Sequence, residues 1–307
     1  MARTEGRRLL HEQRRHERAG SGEAMTTVRT LATGLTFGES PRWHDGRLWL
    51  SNWVAQEVVA VDPGGGSEVM LRMPFRELPF SIDWLSDGRL LIASSSDRPL
   101  LVQEPDGALA TYAASDRGWN ELVVDGRGNA YVNGAGFDPM AGAAFAAGIV
   151  ALVTPDGGVR QVADGIAFPN GMVVNAANDT LIVADSYGHE LTAFDIGADG
   201  DLTNRRVWAD VGDGVPDGIC IDAEGAIWYA DVPNQRCVRV REGGEVVATI
   251  DLDRGAFACM LGGADGSTLF IVAAEWHGFD RMADAGKTGV VLAAPAPSRS
   301  AGYPASR

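Results

Sequence analysis

Short apolar runs recur along this chain between polar turns, and no stretch carries a sustained helical period. Six runs start at what reads as one repeated position: Glu39–Trp43, Phe80–Trp84, Asn120–Val124, Asn170–Val174, Asp217–Ile221 and Ala258–Gly262. Each is followed by a turn and a second run: Arg47–Ser51, Arg89–Ala93, Asn129–Asn133, Thr180–Ala184, Ala226–Ala230 and Thr268–Val272. Asp45-Gly46, Asp87-Gly88 and Asp265-Gly266 in these turns are hairpin signals. Third runs follow at Glu57–Val61, Leu100–Gln103, Ile149–Val153, Glu190–Phe194, Cys237–Val240 and Gly289–Leu292, and most units show a fourth, such as Val246–Ile250. A period of roughly 40–50 residues with four strands per unit is that of a propeller blade. The pattern predicts an all-β chain, a six-bladed β-propeller of four-stranded blades around a central metal-containing channel. Val28–Ala32 would supply the outer strand of the last blade and close the ring, which removes exposed sheet edges. A β-sandwich or two smaller β domains is the alternative, and the regular repeat argues against it.

The first strand of each blade lines the channel, so equivalent starts form a ring at one mouth. Phe80 and Ala258 are apolar there, while Glu39, Asn120, Asn170 and Asp217 are oxygen donors with two negative charges between them. Carboxylate and amide oxygens are hard ligands, suited to Ca²⁺ or Mg²⁺ before softer metals. The ring predicts one divalent cation, calcium first, with Zn²⁺, Mg²⁺ and Mn²⁺ as the other candidates. A purely structural calcium, or polar residues that only cap strand ends, are the plainer alternatives. Loops between second and third strands rim the same mouth and bring Trp53, Tyr187, His189 and Trp276 there. The longest, Gly134–Gly148, carries Phe137, Met140 and Phe145 and is either a lid or an insertion without function.

Composition narrows the classes. Net charge is −15, and phosphate binding needs a basic face, so nucleic acid is not expected as a partner. No apolar stretch approaches a membrane span, so no membrane association is expected either. Cys220, Cys237 and Cys259 form no CxxC pair and read as buried small residues in a reducing, cytoplasmic setting. Residues 1–24 are rich in Arg and Glu without a signal-like apolar core and read as a disordered tail, with Met25 a plausible initiator. Residues 25–294 are assigned to the propeller and 295–307 to a loose C-terminal tail. A monomer or weak homo-oligomer is expected.

Gly38-Glu39-Ser40-Pro41, the Asn170-Gly171 pair before apolar residues, and Pro216-Asp217-Gly218 running to Gly225 resemble the gluconolactonase/senescence marker protein (regucalcin) family over about Thr36 to Val290. That resemblance implies a six-bladed propeller with one divalent metal in the channel, and its members include lactone hydrolases. It places Glu39, Asn170 and Asp217 on the metal ligands and Asn120 on the polar residue between metal and substrate. Sugar-lactonase members often carry Arg two residues before that Asn, followed by Asp; here the stretch is Gly118-Trp119-Asn120-Glu121. The missing guanidinium puts an aldonolactone in doubt. Trp119, Trp53 and Phe80 point to a more apolar pocket, although Trp119 fits plain core packing equally well.

The resulting expectation is a metal-dependent hydrolase acting on ester bonds, a gluconolactonase-like lactonase that opens a cyclic ester by attack of metal-activated water. Asp217 is the expected catalytic base as well as a ligand, with Glu121 and His189 as reserve bases. Asn120, Trp119, Glu121, Tyr187 and His189 are the expected substrate contacts. Another ester or phosphotriester hydrolase on the same scaffold, or a non-catalytic binding propeller with a structural calcium, are the competing readings. No GxSxG or HExxH motif occurs.

Overall fold

A computed structural model describes residues 27–74, 78–95, 99–138, 141–278, 281–282 and 286–302. The described strands form six antiparallel sheets of four strands each. Their inner strands are Gly38–His44, Phe80–Trp84, Glu121–Val124, Pro169–Val174, Pro216–Ile221 and Gly255–Gly262. Each inner strand touches the next, and the sixth touches the first, so the blades form a closed ring. Arg29–Leu35 pairs antiparallel with Gly289–Pro295 and completes blade 6 with the beginning of the chain. The expected closure is therefore present, with the closing strand extended three residues past Ala32.

Six apolar clusters lie one at each interface between neighbouring blades. Blades 2 and 3, for example, bury Leu91, Ala93 and Leu100 against Leu122, Val124 and Val132. Both faces of an inner strand are thus occupied, which is why these runs read as nearly continuous apolar segments. Outer strands show the opposite pattern: Ser67–Arg72 is exposed along most of its length. Of the three Asp-Gly turns, only Asp45-Gly46 has positive φ at both residues, +48° and +73°. That is the two-residue hairpin turn, whereas at 87–88 and 265–266 only the glycine enters the left-handed region.

Residues 1–24, expected as a disordered tail, lie outside the described residues. Residues 296–302, expected as loose, are hydrogen-bonded to blades 5 and 6. Ala296 N donates to Ser267 O at 2.8 Å, Ser300 N to Gly266 O at 2.8 Å, and Ala223 N to Arg299 O at 2.8 Å. The segment supplies partners for backbone groups in the turns of those blades, which ties it down. Among the described residues no helix is long and apolar enough to cross a membrane.

Candidate functional site at the channel mouth

Three of the four ring residues occupy the same place in their strands. Glu39, Asn170 and Asp217 are each second in an inner strand, and in each case pairing with the next strand slips at or just after that residue. The slips fall between Glu39 and Arg42, Pro169 and Met172, and Pro216 and Ile219. Such bulges re-aim a side chain out of the regular alternation, here over the channel. In blades 4 and 5 the next residue is glycine. A Cβ at Gly171 would lie 2.6 Å from Asp217 O, and one at Gly218 would lie 2.4 Å from Ala258 Cβ. The missing side chains let neighbouring inner strands approach closely and bring Asn170 beside Asp217. In blade 1 that position is Ser40, held at φ +49°. Asn120 arrives differently, from one residue before its strand, with its N–H donating to Asn133 O at 2.7 Å and no bulge following.

The four side chains line the floor of one open cavity of about 730 Å³. Glu39 is buried, and Asn120, Asn170 and Asp217 are half-buried. Asn120 Nδ2 lies 3.4 Å from Asn170 Oδ1. Asn170 Nδ2 reaches Ser186 Oγ at 3.4 Å, and Ser186 Oγ donates to Pro216 O at 2.7 Å. Asn133 Nδ2 donates to the Asn170 carbonyl at 2.6 Å. Asn133 and Ser186 were not anticipated as supports.

The electrostatics of the floor are unfavourable without a cation. Desolvation, then the charges of Asp217 and Glu121, push the Glu39 carboxyl well above the ordinary range. Desolvation, then Glu121 and Asp231, do the same to Asp217, opposed by a hydrogen bond from Asn170. Among the described residues no cationic side chain is a leading contributor to either group. Arg42, on the strand of Glu39, is engaged by Glu121 at 3.1 Å and Asp83 at 3.6 Å. Among the described residues no three His, Cys, Asp or Glu side chains are grouped to hold a metal. The floor offers two carboxylates and two amides, a donor set that fits a hard divalent cation and lacks the nitrogen and sulfur favoured by softer ions.

The remaining expected residues separate. Trp119 is both core and wall: it is 2% exposed, packs between blades 2 and 3, and lines the cavity while Nε1 donates to Ser115 Oγ at 3.0 Å. Tyr187 lines the rim and is exposed. Glu121 does not line the cavity. It is buried beneath the floor and accepts from Ser40 Oγ, Leu122 N and Arg42. Being one residue after Asn120, it faces away by strand alternation. His189 also stays off the cavity: it is exposed at φ +54° with Nδ1 2.6 Å from Gly214 O. Phe80 is fully buried in the core between blades 1 and 2. Trp53 does line the cavity, together with Phe37, Phe257 and Trp276. Met140 lies outside the described residues.

Residues 37–275 match the family described as SMP-30/Gluconolactonase/LRE-like region. Regucalcin of Xenopus laevis is 28% identical over 254 residues, covering 78% of this chain and 83% of that protein. The diisopropyl-fluorophosphatase of Loligo vulgaris is 26% identical over 200 residues, covering 58% of this chain and 63% of that protein. The crystal structure of a calcium-binding protein, regucalcin, from Agrobacterium tumefaciens superposes with a TM-score of 0.73 at 22% identity, covering 91% of this chain and 99% of that one.

Proposed function

The chain belongs to the SMP-30/gluconolactonase/LRE-like family and is a hydrolase acting on ester bonds, and on that premise we propose that it opens a lactone with the help of one divalent cation. The observation that carries the reading is the cavity floor itself: two carboxylates, with no cationic partner among the described residues, beside two amides beneath an open pocket. Glu39, Asn170 and Asp217 would hold the ion, with Asn120 at the boundary with substrate. Calcium is the preferred ion because every donor is an oxygen; a calcium-binding relative of the same fold is consistent with that choice. Bound there, the cation would polarise the ester carbonyl and offset the negative charge that develops on its oxygen.

The chain's own residues account for the rest of the reaction. Asp217 takes a proton from the attacking water as the water oxygen bonds to the carbonyl carbon. The ring C–O bond then breaks, and Asp217 returns the proton to the departing alkoxide, leaving a hydroxy acid. Burial and the Glu121 and Asp231 charges raise the proton affinity of Asp217, which counters the depressing effect of a neighbouring cation. Asn120 offers its amide to the substrate. Ser186 and Asn133 keep Asn170 in place through the side chain and the backbone carbonyl respectively.

The substrate is proposed to be less polar than an aldonolactone, because the residue two before Asn120 is Gly118 and aromatic side chains such as Trp53, Trp119 and Trp276 line the cavity. The squid relative supports a second reading, a phosphotriester hydrolase on the same floor. A cytoplasmic monomer or weak homo-oligomer is the proposed state, in keeping with three buried free cysteines. The test is a panel of aliphatic and sugar lactones, aryl esters and organophosphates, assayed after EDTA treatment and re-addition of Ca²⁺, Mg²⁺, Mn²⁺ or Zn²⁺. Lactone hydrolysis lost in Asp217→Ala and Glu39→Gln, with both variants folded, is expected; full activity in either would defeat the proposal.

A further inference from the structure

We propose that the substrate carries apolar groups on two opposite sides of the cleaved ester, each seated on one of two facing aromatic walls. This deepens the ester-hydrolase reading above and rests on it for the position of the ester. The first wall is Phe37, Trp53, Phe257 and Trp276. Its ring centroids lie 4.5 Å apart for Phe37–Phe257, 5.4 Å for Phe37–Trp53 and 5.5 Å for Phe257–Trp276. The second is Phe137, Phe168 and Tyr187, with centroids 5.9 Å apart for Phe137–Phe168 and 4.7 Å for Phe168–Tyr187. All seven line the same cavity.

Topology places the walls across from one another. The first belongs to blades 6 and 1: Trp53 follows the second strand of blade 1, and Phe257 and Trp276 lie in and just after the first two strands of blade 6. The second belongs to blades 3 and 4: Phe137 follows the second strand of blade 3, and Phe168 and Tyr187 flank the first two strands of blade 4. In a six-membered ring blade 4 is opposite blade 1 and blade 3 opposite blade 6, so the floor lies between the walls. A volume of about 730 Å³ is in the range for drug-sized ligands, and a bare five-membered lactone fills little of it.

Position 118, two residues before Asn120, supplies no polar side chain for a sugar; Asp116 and Arg117 line the cavity beside it instead. A Cβ at Gly118 would lie 1.6 Å from Ser95 O, so no side chain can rise there without moving backbone. The neighbouring indole N–H of Trp119 is already used by Ser115. Hydroxyls pressed against the aromatic walls would lose water without a matching partner, whereas alkyl or aryl groups gain from leaving water.

The test compares kcat/KM for γ-butyrolactone, glucono-δ-lactone, γ-hexyl-γ-butyrolactone and α-benzyl-γ-hexyl-γ-butyrolactone. Binding of the matching cyclopentanones, which have no cleavable ester bond, is followed by tryptophan fluorescence. Each apolar arm is expected to raise kcat/KM and ketone affinity by about tenfold or more. Trp276→Ala and Tyr187→Ala should each remove most of the gain from one arm. If the ketones show the gain while no lactone is cleaved, the two-wall inference stands and the lactonase reading fails. If bare and two-armed ketones bind alike, or glucono-δ-lactone is the best substrate, the inference is overturned while lactonase activity survives.

Discussion

Replacing Arg42 with Met should destabilise the propeller by leaving two carboxylates stranded in the channel. The guanidinium, only 12% exposed, lies 3.1 Å from Glu121 Oε1 and 3.6 Å from Asp83 Oδ2. It also donates to Leu122 O at 2.5 Å and Pro41 O at 2.9 Å. Met keeps most of the volume and removes the charge. Breaking a buried pair in this way costs about 3–5 kcal/mol, because the remaining charge has no compensation. With an unfolding entropy of roughly 2.1 cal/mol/K per residue over the ordered propeller, that is a fall in Tm of about 5–9 °C. The sign with pH follows from Glu121, whose carboxyl is already pushed up by burial and would be pushed further without Arg42, the partner that lowers it. A carboxyl raised in the folded state loses stability as pH rises through its folded value, so the penalty should grow with pH and shrink in acid. Scanning calorimetry across pH on Arg42→Met, Glu121→Gln and the double variant provides the assay. The double variant should recover part of the loss, since it leaves one stranded carboxylate rather than two. An Arg42→Met protein melting within about 2 °C of the parent, or strictly additive single effects, would refute the reasoning.

Other consequences can be measured directly. Glu39 and Asp217 are both raised in the cation-free fold, so the folded state holds protons that the unfolded chain releases above its ordinary carboxylate range. Cation-free stability should therefore fall as pH rises, and the Tm gain from saturating Ca²⁺ should increase between about pH 5 and 8; a gain flat across that range would contradict it. Gly118→Ala should cost about 1–3 kcal/mol, because the new Cβ meets the Ser95 backbone rather than a movable side-chain end; a melting curve like the parent's would disprove this. Cys220, Cys237 and Cys259 are buried, and burial pushes the Cys220 and Cys259 thiols well up. Iodoacetamide at pH 8 should label none of the three until denaturant is added, and labelling of the native protein, read by mass spectrometry, would count against their burial.

Much of the fold was legible because every inner strand packs on both faces and is followed by a turn with its own chemistry. The recurrence of six apolar runs is a direct consequence of six inter-blade clusters, and the closing strand was visible as one further run left over before the first blade. Turn detail was less legible: three identical Asp-Gly pairs close two kinds of turn, since only at 45–46 does the aspartate also take positive φ. Residues 296–302 are held by backbone hydrogen bonds and by only two small apolar side chains, Ala296 and Ala301, packed on the blades, and such a pattern carries little signal in the sequence.

The site divides along the same physical line. Glu39, Asn170 and Asp217 stood out in the sequence as polar residues at a repeated strand head, and the structure brings all three to one cavity. Glu121 misled because a one-residue step in a strand reverses the facing direction, and sequence proximity to Asn120 concealed that. The signal that would have found its true role was present: Arg42, Asp83 and Glu121 are charges within inner strands that are buried on both faces, so they had to meet one another. Their pairing explains the ring above it. With Arg42 committed to Glu121 and Asp83, no cationic side chain among the described residues offsets Glu39 and Asp217, and an added cation would meet only protons and neutral donors, Ser40 N and the Asn170 amide, at those oxygens. The charged layer beneath the floor thus leaves the carboxylates available, while the aromatic walls above it supply apolar surface on two sides of the cavity.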